Sequence, residues 1–146
     1  MNYAAVLLYM MTVFAMPHPD LPSDVQRLAV KAERGDMRAQ RNLAEGYVWA
    51  RGVPQDYAEA IKWYRRAADQ GDAEALSRLG FVYLRGLYGE PQDLQQAYFW
   101  NSLAASRSGD PDLMARRDYA AGQLTPGQLA EAQDMVRDWK QKRRRS

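Results

Sequence analysis

The sequence predicts an all-α superhelix (a solenoid of stacked helix pairs), and three observations carry that prediction. A set of residues recurs at offsets of 36 to 38 positions. Within each recurrence apolar residues fall four apart, the spacing that gathers side chains on one face of a helix. Alanine, the best helix former, is the commonest residue in the 146-residue chain and allows helices to approach closely. A helix pair cannot bury its apolar face alone, so repeated pairs stack on one another.

Each repeat reads as two helices. Ala39, Leu43 and Tyr47 share one face of a first helix and return at Ala75, Leu79 and Tyr83. Pro54-Gln55-Asp56 returns as Pro91-Gln92-Asp93 and opens the second helix. Asp56 with Glu59, and Asp93 with Gln96, have capping-box spacing, in which a side-chain oxygen accepts from a free backbone N–H. Ala60, Trp63, Ala67 and Ala68 fill one face of that second helix and recur at Ala97, Trp100, Ala104 and Ala105. Gly35-Asp36, Gly71-Asp72 and Gly109-Asp110 punctuate the units: glycine ends one helix and aspartate caps the next. The ends are incomplete units. Ser23 and Gln26 have capping-box spacing before Val25, Leu28 and Ala32, which match the second helix of a preceding half-repeat. Thr125, Pro126 and Gln128 mark a further start, with Leu129, Ala132, Val136 and Trp139 as the stripe of a closing helix. The domain is expected over residues 23–139: about two full repeats, an N-terminal half-repeat and C-terminal capping helices.

The flanks read differently. Residues 1–15 hold an apolar run too short to span a bilayer, but of a length that suits a signal peptide, with Val13 and Ala15 at cleavage-compatible positions. Met1-Asn2 lacks the usual basic residue, and the alternative is an apolar N-terminal helix covering the end of the array. The corresponding expectation is a periplasmic or secreted protein of a bacterium, the alternative a cytoplasmic one. Residues 16–22 form a Pro-rich linker containing His18, the one histidine. Residues 140–146 form a basic tail: five of the positive charges lie there, so the net charge of +2 becomes −3 over residues 1–139. The tail reads as a disordered, solubilising end, with contact to nucleic acid or a membrane as the alternative.

Chemistry finds little material. No cysteine and a single histidine exclude a disulfide framework, a thiol nucleophile and a multi-histidine metal centre. Glu33 with Asp36, and Asp56 with Glu59, could pass as catalytic carboxylate pairs, but helix capping accounts for their positions. Gly86-Leu87-Tyr88-Gly89 lacks the Gly-Lys-Ser/Thr ending of a phosphate loop. No catalytic residue, cofactor or metal is expected.

Leu79-Gly80-Phe81-Val82-Tyr83-Leu84-Arg85-Gly86 resembles the first helix of a Sel-one-like repeat (SLR), a relative of the tetratricopeptide repeat. Val53, Asp56, Ala60, Trp63-Tyr64, Ala67-Ala68, Gln70-Gly71 and Ala73-Glu74-Ala75 match the rest of that pattern, and the resemblance covers about residues 24–110. Leu124-Thr125-Pro126 through Gln133 is similar to the closing helix that often follows such arrays. Three departures stand out: Ala50 in place of a loop glycine, Asn101 in place of the tyrosine after Trp100, and one inserted residue near Tyr88-Gly89. The second loop is therefore expected to differ in shape from the first. The resemblance implies a protein-binding scaffold, often of bacterial envelope or signalling systems. Some cysteine-rich relatives are associated with β-lactam binding or hydrolysis, but this chain has neither the cysteines nor a Ser-x-x-Lys motif.

Two residues along a helix turn the chain through about 200°, so the side opposite each core stripe can be named. It reads Arg41, Glu45 and Trp49 in the first unit and Ser77, Phe81 and Arg85 in the second. In arrays of this kind the first helices line the concave surface, which makes these six the expected partner-binding residues. Aromatic residues with arginine are the composition of interface hot spots. The alternative is that Trp49 and Phe81 cover the seam between repeats or the N-terminal helix. Arg38 and Arg78 nearby suggest a protein or peptide carrying carboxylates. No specific nucleic acid and no stable membrane span are expected, and the chain is expected to be a monomer.

Overall fold

The computed structural model describes residues 21–145. They form seven helices and, among the described residues, no strand: α1 (Ser23–Glu33), α2 (Met37–Trp49), α3 (Tyr57–Asp69), α4 (Ala73–Arg85), α5 (Leu94–Ser108), α6 (Pro111–Gln123) and α7 (Pro126–Arg145). The apolar run and most of the Pro-rich linker lie outside the described residues.

The junctions form where the punctuation predicts. Asp36, Asp56, Asp72 and Asp93 each accept from the backbone N–H three residues on, at 2.8 to 3.0 Å. Asp110 accepts from Asp112, and Pro111 opens α6, where its missing N–H costs nothing. At Gly35 (φ +94°) and Gly71 (φ +86°) the chain turns through the left-handed region. There the N–H groups of Asp36 and Asp72 reach back to the carbonyls of Lys31 and Ala67, at 3.0 Å each, in paired C-terminal caps. Thr125 and Gln128 complete a reciprocal capping box at the start of α7.

Consecutive helices pack from α1 to α6, and α7 lies along α5. One continuous core results, built from the recurring stripe: Leu43 with Ala60, Trp63, Ala67 and Ala68, then Leu79 with Ala97, Trp100, Ala104 and Ala105, all buried. Trp139 of α7 packs against that core while remaining partly accessible. Near the start of α7, Gln95 of α5 donates to Gln128 O and Glu131; near its end, Arg143 donates to Asp69 O at 2.7 Å.

Two expectations need correction. Ser23 is the first helical residue rather than a cap; Pro22 stands at the cap position with no side-chain bond, and Gln26 donates to Leu21 O instead. The basic tail is not a disordered end. Helix α7 continues through Lys140, Lys142, Arg143, Arg144 and Arg145. Its cations lie at a helix C-terminus, where the macrodipole favours them, and Arg143 caps a carbonyl at the end of α3 as well.

Candidate protein-binding face

The first helices α2, α4 and α6 each carry a buried stripe, and the positions opposite it are open or half-open. Trp49 ends α2 with 57% of its surface exposed. Phe81 of α4 is 40% exposed, with the Arg116 guanidinium of α6 over its ring at 5.3 Å. Arg85 is exposed at the end of α4, while Glu45 and Ser77 are half-buried. Arg41 is committed internally: it pairs at 3.4 Å with Asp72, the buried cap of α4, and so ties α2 to α4.

Two hollows border these helices. One, about 360 Å³, lies between α1 and α2, with Asp24, Leu28, Glu45 and Arg51 in its walls. The other, about 510 Å³, lies between α4 and α6, lined by Leu84, Arg85, Gln92, Ala115, Arg116 and Tyr119. Of the six residues expected from sequence, Glu45 thus borders the first hollow and Arg85 the second. Gln92 donates to Leu84 O at 2.9 Å, which fixes the loop wall of the second. Arg116 and Tyr119 are absent from the sequence-based set, although Gly109-Asp110 marks the start of their helix. The offset of 38 that relates Gly71 to Gly109 also relates Arg78 to Arg116 and Phe81 to Tyr119.

Beneath the face, burial raises the pKa of the Tyr64 hydroxyl; Arg78 opposes the shift, and Glu45, Tyr88 and Glu74 add to it. A phenol held neutral in this way packs in the core and is no base near neutral pH. The carboxylates weighed as catalytic pairs are occupied structurally: Asp36 and Asp56 cap helices, Glu33 meets Arg66 at 3.1 Å, and Glu59 meets Lys62 at 3.0 Å. Among the described residues no helix is long and apolar enough to cross a membrane.

The Sel1 repeat family model matches residues 38–72 and again 73–108, the two helix pairs described above. The chain carries two Sel1 repeats and belongs to that family. Its members mediate protein–protein interaction. A protective antigen of uropathogenic Escherichia coli with an SLR fold superposes with a TM-score of 0.70 at 30% identity, over 79% of this chain and 24% of that one. A Sel1 repeat protein from Oxalobacter formigenes gives a TM-score of 0.54 at 33% identity, over 57% of this chain and 63% of the other. Among curated proteins, the ERAD-associated E3 ubiquitin-protein ligase component HRD3A of Arabidopsis thaliana is 31% identical over 64 residues, 43% of this chain. Chitin synthase regulatory factor 3 of Schizosaccharomyces pombe is 24% identical over 101 residues, 69% of this chain. The chain spans only 9% and 11% of the lengths of those two relatives.

Proposed function

We propose that this Sel1 array is a non-catalytic adaptor that binds a segment of another protein on the face formed by α2, α4 and α6. One observation carries the reading: each of these helices presents a large, accessible aromatic residue outside the core, Trp49, Phe81 and Tyr119. Rigid aromatic groups left in water, with arginines beside them, are the usual anchors of an interface. A setting in the envelope of a bacterium belongs to the same proposal; it rests on the apolar run with Val13 and Ala15, and mass spectrometry of the mature N-terminus tests it.

Affinity capture from the native cell, with the wild type and Trp49→Ala/Arg85→Ala in parallel, tests the docking face. Both side chains are exposed, so the variant should melt like the wild type. Binding of the partner should weaken by about 1–4 kcal/mol. Recovery of the same partners by both proteins removes the docking face. Turnover of a substrate by the pure protein, lost on replacing a named carboxylate, favours an enzyme instead.

A further inference from the structure

The two hollows beside the first helices differ in charge. The one between α1 and α2 has Asp24 and Glu45 in its walls against Arg51. The one between α4 and α6 has Arg85 and Arg116 and no carboxylate. Three other arginines of these helices are paired, Arg41 with Asp72, Arg78 with Glu74 at 3.1 Å and Arg117 with Asp118 at 2.7 Å, and the exposed Arg38 of α2 lines neither hollow. Among the described residues Arg85 and Arg116 have no such partner. Arg116 is held in place by the Phe81 ring, so its fork is partly ordered before anything binds. Tyr119 and Leu84 add apolar surface to the same lining.

We infer that the hollow between α4 and α6 is a subsite for an acidic peptide segment, with an Asp or Glu carboxylate seated between Arg85 and Arg116 and a neighbouring aromatic or large aliphatic side chain on Tyr119, Phe81 and Leu84. The inference rests on the docking reading above and adds the chemistry of the ligand. A guanidinium binds a carboxylate through two parallel N–H donors, a geometry that neutral peptides cannot reproduce. Two positive charges lining one concavity also select against basic segments, because like charges brought together there are repelled. A hollow of about 510 Å³ takes a few side chains of a short segment rather than a whole domain.

The test is selection of random twelve-residue peptides displayed on phage against the full chain, followed by titration of the enriched peptides into wild type, Arg85→Gln/Arg116→Gln and Tyr119→Ala. The enriched peptides should carry Asp or Glu next to an aromatic or large aliphatic residue. Their affinity should fall roughly tenfold or more in the double variant and with rising salt. Thermal melts of the two variants should match the wild type, since the replaced groups lie on the surface of the hollow. Acidic peptides that bind the double variant as tightly as the wild type overturn the assignment, as does the absence of any enriched peptide. Neutral peptides lost on Tyr119→Ala overturn the carboxylate chemistry and leave the docking face standing, whereas failure of the capture experiment removes the face itself. Two further arms decide against the peptide. One is binding of phosphatidylglycerol vesicles abolished by the double variant; the other is concentration-dependent self-association abolished by it, which assigns the hollow to a second copy.

Discussion

The two Sel1 repeats of this chain share a fold, and four of the differences between them show how each helix pair is fitted. Where the first has Ala44, Ala50 and Tyr64, the second has Gly80, Gly86 and Asn101, and its loop between helices has one more residue. Tyr64 and Asn101 are both fully buried. Asn101 donates to Ala97 O at 2.8 Å and leaves its own Oδ1 without a hydrogen-bond partner. Opposite it, Gly80 is indispensable for space: a methyl group there would stand 2.5 Å from Asn101 Oδ1. The loops follow suit. The first turns left-handed at Ala50 and Gly52; the longer second does so at Gly86, Tyr88 and Gly89, and the Tyr88 ring stacks on Tyr57 at 4.6 Å. A repeat therefore tolerates exchange of a large core residue for a small polar one when the facing helix changes with it. The conserved quantity is the fit between the two helices of a pair, not the residue at either position.

Gly80→Ala sharpens this point with the largest effect. Asn101 is short and enclosed, so the new methyl group cannot be accommodated by a side-chain swing, and a cost of about 1–3 kcal/mol is expected. In an Asn101→Ala background the same change should cost far less, because the obstructing amide is gone. A double-mutant cycle in urea measures the coupling, expected at roughly 0.5–3 kcal/mol. Additive effects would mean that the two helices are not mutually fitted at this site.

The left-handed corners provide the second contrast. Ala50 holds φ +53° where the matched Gly86 holds φ +63°. A side chain in that region costs roughly 1–2 kcal/mol relative to glycine, so Ala50→Gly should stabilise by up to about 1 kcal/mol after the greater freedom of the unfolded chain is deducted. The reverse change, Gly86→Ala, should cost about 1–2 kcal/mol. It adds a contact of 2.9 Å with the Gln92 backbone nitrogen to the strained dihedral. Thermal melts of the two variants should move in opposite directions.

Most of the fold could be read from the sequence because its signals are local. Asp56 and Asp93 cap helices because the required N–H lies three residues away, and Gly35 and Gly71 end them for equally local reasons. The failures are of a different kind. Ser23 has the residue type and spacing of a cap, but the chain enters α1 at Pro22. The basic end continues as helix and reaches Asp69, 74 residues earlier, a contact no local pattern announces. Half of the proposed docking face was legible by rotation about α2 and α4. The other half, Arg116 and Tyr119, lies on α6, where the buried stripe thins to Leu113 and Ala120 and gives a weaker periodic signal. Only the offset from Gly71 to Gly109 would have carried the register across.

The smallest effect separates the matched tyrosines Tyr47 and Tyr83. Burial raises the pKa of both phenols; the acidic Glu59 and Asp56 raise Tyr47 further, whereas Arg65 works against the shift at Tyr83. Tyr83 is buried, accepts from Arg65 and donates to Glu90 at 3.0 Å, while Tyr47 is only half-buried. A group whose pKa is raised by folding contributes stability that is fully present below its unfolded value, near 10, and is lost as pH rises through the higher folded value. The fold should therefore hold its stability toward neutral pH and weaken from about pH 10 upward, as the buried phenols are forced to ionise. Tyr83→Phe should cost about 0.5–1.5 kcal/mol at neutral pH, because it removes a bonded hydroxyl and leaves Arg65 and Glu90 to each other. Tyr47→Phe should cost less. Each substitution should also remove part of the alkaline loss, so the variants' urea midpoints should converge on the wild type between pH 8 and about pH 11. A wild-type midpoint that stays flat across that range would show that neither hydroxyl is linked to folding. Equal neutral-pH costs for the two substitutions would show that the Arg65 and Glu90 contacts contribute nothing beyond burial.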